Sequence, residues 1–267
     1  MPAKFFKDFN KDTKDLLSKQ YIPAGDWKME SKIKPADRTF IINPGFEAKG
    51  GKTKLSVDVD YNVKEYSVET KTTFTNDGNI KPKLTWKNSW AKVEFTLNKL
   101  AIDTDFELVD EITYGDAALY GKFTKAAGEV SAAYAVCAPA TIGAGVKFGL
   151  NGALKGWSAG VRATHDGYIV NVTTEALKTY TTGVFAPVKI AGQSVKLAAQ
   201  VDCGNKDKFD VAVGFEVPVS DFTLKVKTNK NFNTTVALVR KFAEKWTAAA
   251  SFSLDSVPSF GLTLTRE

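Results

Sequence analysis

The stretch TKLSVDVDYNV, residues 53–63, alternates between apolar and polar side chains without a break. Its odd-numbered positions from Leu55 to Val63 are apolar, and the even-numbered positions from Lys54 to Asn62 are charged or polar. A β-strand points successive side chains to opposite faces of its sheet. The stretch therefore predicts a strand with one apolar face and one charged face.

The same alternation recurs along most of the chain. It is clear around residues 92–97, 102–108, 195–202, 209–217, 222–227 and 260–264. Turn signals separate these runs, among them KGG at 49–51, NDGN at 76–79, HDG at 165–167 and CGNKDK at 203–208. Strands joined by short turns form an antiparallel meander, because parallel neighbours need long crossovers. The sequence predicts an all-β protein.

The number of strands separates two all-β alternatives, a soluble sandwich or small barrel and a large membrane barrel. Residues 26–267 hold roughly 18 to 20 strands if each tilted membrane strand takes about ten residues. No linker and no blade-like repeat divides that length into smaller soluble units. A closed barrel of this size has a lumen wide enough for water, where the charged face can lie while the apolar face contacts lipid.

Composition limits the remaining functions. The 267 residues carry a formal net charge of +6, with 36 basic and 30 acidic residues and no basic block, so nucleic acid is not an expected partner. Cys137 and Cys203 form no CxxC pair, and His165 is the single histidine, in a predicted turn. A serine triad and a zinc site both lack their parts. We expect no enzyme, no metal and no cofactor.

Residues 4–21, KFFKDFNKDTKDLLSKQY, differ from this pattern and predict a helix. Helical spacing gathers an apolar stripe, a lysine stripe and an aspartate stripe. The apolar stripe consists of Phe5, Phe6, Phe9, Leu16 and Leu17, with Thr13 between. The lysine stripe consists of Lys4, Lys7, Lys11 and Lys14, and the aspartate stripe of Asp8, Asp12 and Asp15. From the residues alone, such a helix could line the pore, lie on a membrane surface or remain a solvated tail.

The N-terminal segment FKDFNKDTKDLLSKQY (6–21), the stretch EYSVETKTTFTNDG (65–78) and the overall length resemble the mitochondrial porins, the voltage-dependent anion channels. The resemblance implies 19 strands, mostly antiparallel, in a closed transmembrane barrel with the helix inside the lumen. It divides the chain into two parts: residues 1–25 should form the helix and hinge, and residues 26–267 the barrel. It also implies the mitochondrial outer membrane, and a start without a secretory leader fits that expectation.

The resemblance assigns roles to individual residues. Lys11, Lys14 and Lys19 match basic helix positions implicated in nucleotide passage, and Phe9, Leu16 and Leu17 become anchors of the helix to the wall. Thr72 stands where some animal members have a lipid-facing glutamate, so functions tied to that carboxylate should be absent. The hinge reads YIPAGDW (21–27), with Pro23 in place of a glycine-rich joint.

The implied function is a voltage-gated, weakly anion-selective pore for ions and small metabolites, including adenine nucleotides. The lipid bilayer and these permeants are the expected partners, with a homo-oligomer in the membrane as a further expectation. The strand lysines expected to supply pore-lining charge are Lys54, Lys71, Lys92, Lys196, Lys225 and Lys227. Two alternatives stay open: a protein-import channel of the same membrane and a soluble β-rich carrier.

Overall fold

The computed structural model describes residues 3–23, 25–33, 40–101, 105–204, 209–242, 245–254 and 259–266. The predicted alternation at Ile102 and Asp103, and most of the predicted turn at 203–208, lie outside these ranges. Within them the structure confirms the expected fold class: a closed barrel of 19 strands with an N-terminal helix.

The helical residues come first. A 3-10 turn spans Phe6–Asp8, the helix α1 spans Lys11–Ser18, and a second 3-10 turn spans Lys64–Tyr66. The first ten strands are β1 Trp27–Ser31, β2 Phe40–Lys49, β3 Lys52–Val63, β4 Val68–Thr75, β5 Ile80–Lys87, β6 Ala91–Leu97, β7 Phe106–Tyr114, β8 Ala117–Thr124, β9 Ala127–Cys137 and β10 Ala140–Gly149. The others are β11 Leu154–His165, β12 Tyr168–Glu175, β13 Thr179–Ile190, β14 Gln193–Gly204, β15 Phe209–Val219, β16 Phe222–Asn229, β17 Thr234–Phe242, β18 Trp246–Ser253 and β19 Ser259–Arg266.

The strands pair in sequence order around the barrel, each antiparallel to the next. Closure joins β1 to β19 in parallel, with Trp27 opposite Leu262 and Ser31 opposite Arg266. An odd number of strands makes one parallel pair unavoidable, because strand direction alternates around the ring. The stretch that predicted the first strand forms β3, and it pairs with β2 and β4.

The apolar face of the sheet is on the outside of the barrel and the polar face is on the inside, the reverse of the arrangement in a soluble barrel. On β3 the outward residues Leu55 and Tyr61 are 50 % and 49 % exposed. Asp58 and Asp60 point inward, where Thr73 donates a hydrogen bond to Asp58 (2.6 Å) and Asn43 donates one to Asp60 (3.0 Å). Apolar side chains therefore cover the outside of the barrel, and polar ones line its lumen.

The N-terminal segment is shorter and more broken than the continuous helix predicted for residues 4–21. The 3-10 turn and α1 are separated at Phe9 and Asn10, and Lys19 is already extended. The break has a visible cause: the carbonyl of Phe9 accepts a hydrogen bond from Arg162 of the wall. Among the described residues, no helix is long and apolar enough to span a membrane.

Candidate functional site: the N-terminal segment against the lumen wall

The N-terminal segment follows the inner wall past a series of inward-facing glycines. A Cβ on Gly143 of β10 would lie 2.6 Å from the ring of Phe6, and one on Gly214 of β15 would lie 2.9 Å from Leu17. One on Gly261 of β19 would lie 2.6 Å from Ile22. Gly183 of β13 faces Asn10 in the same way. The missing side chains leave a shallow groove from β10 to β19, in which the segment lies.

Arg162 of β11 holds the segment at the break. Its Nη1 donates to the carbonyl of Phe9 (2.7 Å), and its Nη2 donates to Oδ2 of Asp12 (2.9 Å). The Arg162 side chain is only 5 % exposed, whereas Asp12 is 39 % exposed. A buried guanidinium needs partners for its donors, and here the helix supplies both. Arg162 is thus a two-point attachment between wall and helix.

Amide groups add a second attachment around Asn10. Its Nδ2 donates to Gln200 of β14 (2.9 Å), and its Oδ1 accepts from Nδ2 of Asn171 on β12 (3.3 Å). Asn171 is 1 % exposed and also donates to the carbonyl of Gly183 (3.3 Å). These bonds fix the first turn of α1 against three adjacent strands, because each amide is directional.

The three residues predicted as anchors, Phe9, Leu16 and Leu17, are buried. Phe9 is fully buried and meets Phe6 edge to face, with ring centroids 5.2 Å apart. Leu16 and Leu17 form an apolar cluster with Ala198 of β14, joined by Phe185 and Ala212. Thr13, between these anchors, is also fully buried. The apolar stripe of the helix therefore faces the wall.

A lysine contact attaches each end of the N-terminal segment to the barrel wall. At its start, Lys7 pairs with Glu111 of β7 and lies 4.1 Å above the ring of Tyr120. At its end, Nζ of Lys225 on β16 donates to the carbonyl of Lys19 (2.9 Å). Lys225 was expected to line the pore, but it is only 2 % exposed. It faces the lumen and contacts the helix terminus, where a cation is favourable.

The three helix lysines expected to contact anions differ in their surroundings. Lys11 and Lys14 line an open cavity of about 630 Å³ between α1 and β12–β14, and neither is in an ion pair within the described part of the chain. Lys19 lines a separate cavity of about 300 Å³ and pairs with Asp15 (2.7 Å). Lys11 and Lys14 are therefore the more available cations.

Most of the strand lysines expected to charge the pore have acidic partners. Lys71 pairs with Asp58 (2.6 Å), Lys92 with Glu94 (3.0 Å) and Lys196 with Glu216 (2.7 Å). Lys227 lies 4.5 Å above the ring of Tyr21, and Lys54 lines a small cavity beside Glu47 and Asp58. Ion pairs therefore offset the charge of Lys71, Lys92 and Lys196, whereas Lys54 and Lys227 are in no ion pair among the described residues.

Candidate metal ligands and thiols are not gathered into one site among the described residues. No group of three or more His, Cys, Asp and Glu side chains is placed to hold a metal ion within them. Both cysteines are free and exposed. His165 lies at the end of β11 with its side chain 81 % exposed.

The fold and the site together define a class, a 19-stranded β-barrel with a helix fixed inside its lumen. Comparison with protein-family models gave no match, and no curated protein matches the chain at a significant level. Membership of the porin family therefore stays an expectation from the residues quoted above.

Proposed function

We propose that the chain forms a wide aqueous pore across a membrane, with a weak preference for anions. The observation that carries this proposal is the reversed distribution of side chains: large apolar residues exposed outside, and ion-paired and polar residues inside. Apolar surface of this extent favours contact with acyl chains, and closure of the sheet satisfies every strand edge there. A soluble carrier would leave this outer face in water.

The helix supports the anion preference. Residues 4–19 carry five lysines and three aspartates, and Asp12 is engaged by Arg162. The cavity beside Lys11 and Lys14 is of the size that takes a small organic ligand. Its other lining residues include Thr173 and the acidic Asp8, Asp15 and Glu175. Lys11 and Lys14, which are in no ion pair there, would attract the phosphate groups of adenine nucleotides, and the three carboxylates keep this attraction weak.

The resemblance extends the proposal to voltage gating and to the mitochondrial outer membrane. It assigns no reaction to the chain and no cofactor. A protein-import channel remains the alternative within the same fold. Reconstituted pores that pass peptides selectively would favour that alternative, whereas nucleotide flux would favour the metabolite pore.

Neutralising the two free helix lysines is expected to reduce the anion preference. A unit charge 4 to 10 Å from a permeating ion contributes about 0.4 to 1 kcal/mol in water. Each removed charge therefore contributes about twofold to fivefold, and the double variant Lys11→Gln/Lys14→Gln should lower the anion-to-cation permeability ratio at least about fourfold. Reversal potentials in a salt gradient across planar bilayers measure this ratio at low voltage.

Lys19→Gln is the comparison at the other end of the helix, because Lys19 lines a separate cavity and pairs with Asp15. It should change the ratio less than the double variant does. Equal effects of the two variants would contradict the assignment of Lys11 and Lys14, and a clear cation preference of the unaltered chain would contradict the anion-pore proposal itself.

A further inference from the structure

The two ends of the barrel carry different side chains on their turns and strand ends. We call the turns that follow even-numbered strands the even rim, and those that follow odd-numbered strands the odd rim. Because each strand is antiparallel to the next, all turns of one rim lie at the same end of the barrel. The two rims can therefore be compared as the two places where the wall leaves a bilayer.

The outward aromatic side chains near the even rim are mostly phenylalanines, each within three residues of its strand end. They are Phe46, Phe74, Phe95, Phe106, Phe123 and Phe148 on β2 to β10, and Phe209, Phe252 and Phe260 on β15 to β19. The exceptions are Trp27, Trp157 and Tyr180. Several of these rings pack on one another, among them those of Phe95 and Phe106, with centroids 6.2 Å apart.

The corresponding band near the odd rim is rich in tyrosine and tryptophan. It consists of Tyr61, Tyr114, Tyr134, Tyr168, Trp86 and Trp246, with Phe40, Phe222 and Phe242 as the exceptions. Tyr66 and Trp90 join it from the turns. Tyrosine and tryptophan combine an apolar ring with a polar group that needs a hydrogen bond, so they settle where acyl chains meet headgroups. This band therefore marks one boundary of the bilayer.

The phenylalanine band has a different preference for depth. A phenyl ring has no group that headgroups could satisfy, and it is well placed among acyl chains. The turn tips of the even rim lie about 7–10 Å of chain beyond this band. The boundary of the bilayer at this end is therefore set by the turns.

The turn tips of the even rim carry large apolar side chains. Leu100, Leu150, Leu177, Phe232 and Leu254 are between 61 % and 87 % exposed. The described turns of the odd rim carry small, polar or charged residues, apart from Ile33, Tyr66 and Trp90. Apolar tips in water would form an unfavourable surface, and they would form it at one end of the barrel only.

Two of these tips have a backbone conformation that disfavours large side chains. Leu177 has a φ of 56° and Phe232 a φ of 60°, in the left-handed region that usually holds glycine or asparagine. Asn229 fixes the second turn, since its Oδ1 accepts from the backbone N–H groups of Asn231 (3.0 Å) and Asn233 (3.1 Å). The turn thus holds Phe232 away from the barrel, which indicates a contact outside the chain.

Exposed lysines accompany the apolar tips. On the even rim they are Lys49, Lys52, Lys99, Lys125, Lys178 and Lys230. The acidic residues there are Asp26, Asp77, Asp105 and Glu175, and Asp77 already accepts hydrogen bonds from Thr75 and Asn79. A lysine beside an apolar residue suits the membrane interface, because its stem can lie along acyl chains while its ammonium group reaches a phosphate.

We propose that the even rim is seated in the interfacial layer of one leaflet, where its apolar tips reach the acyl chains and its lysines contact lipid phosphates. The odd rim then projects into water beyond its tyrosine and tryptophan band. The partner is phospholipid, since the tips are spread from β6 round to β19 and match a continuous surface. The inference rests on the proposed contact of the outer face with lipid and does not depend on anion preference.

The test measures how fast a single cysteine at each rim reacts with an uncharged, water-soluble thiosulfonate. Each variant is made in a Cys137→Ser/Cys203→Ser background and reconstituted in phosphatidylcholine vesicles, with the reagent on both sides of the membrane. Leu177→Cys and Phe232→Cys report the even rim. Ala191→Cys and Ser220→Cys are the matched controls, because these turn residues of the odd rim also have left-handed backbones, with φ of 49° and 51°.

Cysteines at the even rim should react about tenfold or more slowly than the controls, because headgroups and acyl chains exclude the reagent. Nearby lysines would favour the thiolate and speed its reaction, so their charge cannot produce this result.

Charge reversal tests the phosphate contacts. Lys178→Glu/Lys230→Glu should speed the reaction of Leu177→Cys about threefold or more, whereas Lys178→Arg/Lys230→Arg should leave it unchanged. Lys64→Glu/Lys189→Glu on the odd rim is the control and should also leave it unchanged.

Equal rates at the two rims, or faster reaction at the even rim, would overturn the proposal. An unchanged rate after the reversal at Lys178 and Lys230 would overturn the phosphate contacts. Tips that react fast in lipid and are shielded only by an added protein would assign the even rim to a protein partner. Flotation and conductance are measured on each variant: a chain that neither floats with vesicles nor conducts contradicts the pore, whereas a conducting chain with fast-reacting tips contradicts this inference alone.

Discussion

Arg162→Ala is expected to release the N-terminal segment from the wall. The substitution leaves the Phe9 carbonyl and the Asp12 carboxylate without their donor; the bond to Phe9 is buried, whereas the Asp12 side chain is 39 % exposed. Loss of one partner from a buried ion pair costs 3–5 kcal/mol, and the partial exposure of Asp12 reduces this to about 2–3 kcal/mol. The population of released segment should therefore rise about thirtyfold or more.

Hydrogen exchange of the α1 amides in detergent micelles measures this release, and trypsin cleavage after Lys11, Lys14 and Lys19 gives a second readout. Arg240→Ala is the matched control, since it removes an arginine that contacts Asp221 and Phe222 outside the lumen. Arg162→Lys should be intermediate, because one ammonium cannot reproduce the fork of the guanidinium. Unchanged protection of α1 in Arg162→Ala would show that the other contacts hold the segment alone.

Gly143→Val is expected to displace the start of the segment by filling the groove. The three atoms nearest to an added Cβ all belong to the side chain of Phe6, and the closest is at 2.6 Å. The barrel wall itself can accept valine, a residue favoured in strands. Overpacking of this kind costs about 2 kcal/mol, which would raise the displaced population about thirtyfold.

A double variant tests whether the ring of Phe6 is the cause of the displacement. Phe6→Ala removes the clashing ring, so Gly143→Val should cost much less in its presence, with a coupling energy above about 0.5 kcal/mol. Gly156→Val on β11 is the control, because nothing lies within 4 Å of its added Cβ. Exchange rates at residues 6–10 and single-channel conductance report the outcome. Equal behaviour of Gly143→Val and Gly156→Val would contradict the groove.

The fold could be predicted from the sequence because the patterns that indicate it are local. The period of two in β3, the turn residues and the length of the chain require no knowledge of distant contacts. Burial of Phe9, Thr13, Leu16 and Leu17 also follows from spacing within one helix. The position of the helix inside the barrel came from the resemblance, and the packing around Ala198 agrees with it.

The attachments of the helix could not be predicted in the same way. Arg162 and Asp12 are 150 residues apart, and Asn10 and Gln200 are 190 residues apart. Alternation places Arg162 and Gln200 on inward faces, but only the strand order and register bring them to the helix. The break at Phe9 was missed for this reason, since its cause is a side chain from β11.

The parallel pair at the junction of the barrel has a consequence for assembly. Every other pair joins strands that follow one another, so each can form as a hairpin soon after its residues are available. The pairing of Trp27 with Leu262 instead closes a loop of nearly the whole chain, at an entropic cost roughly 3 kcal/mol greater than for a ten-residue hairpin.

An open, curved sheet is therefore the expected intermediate, with β1 and β19 as its two free edges until the final step. Free edges invite pairing with other chains, so the interval before closure is when this protein is most exposed to misassembly. The edge-to-face contact between Trp27 and Phe260, with centroids 5.7 Å apart, lies at that junction and is complete only when the ring has closed.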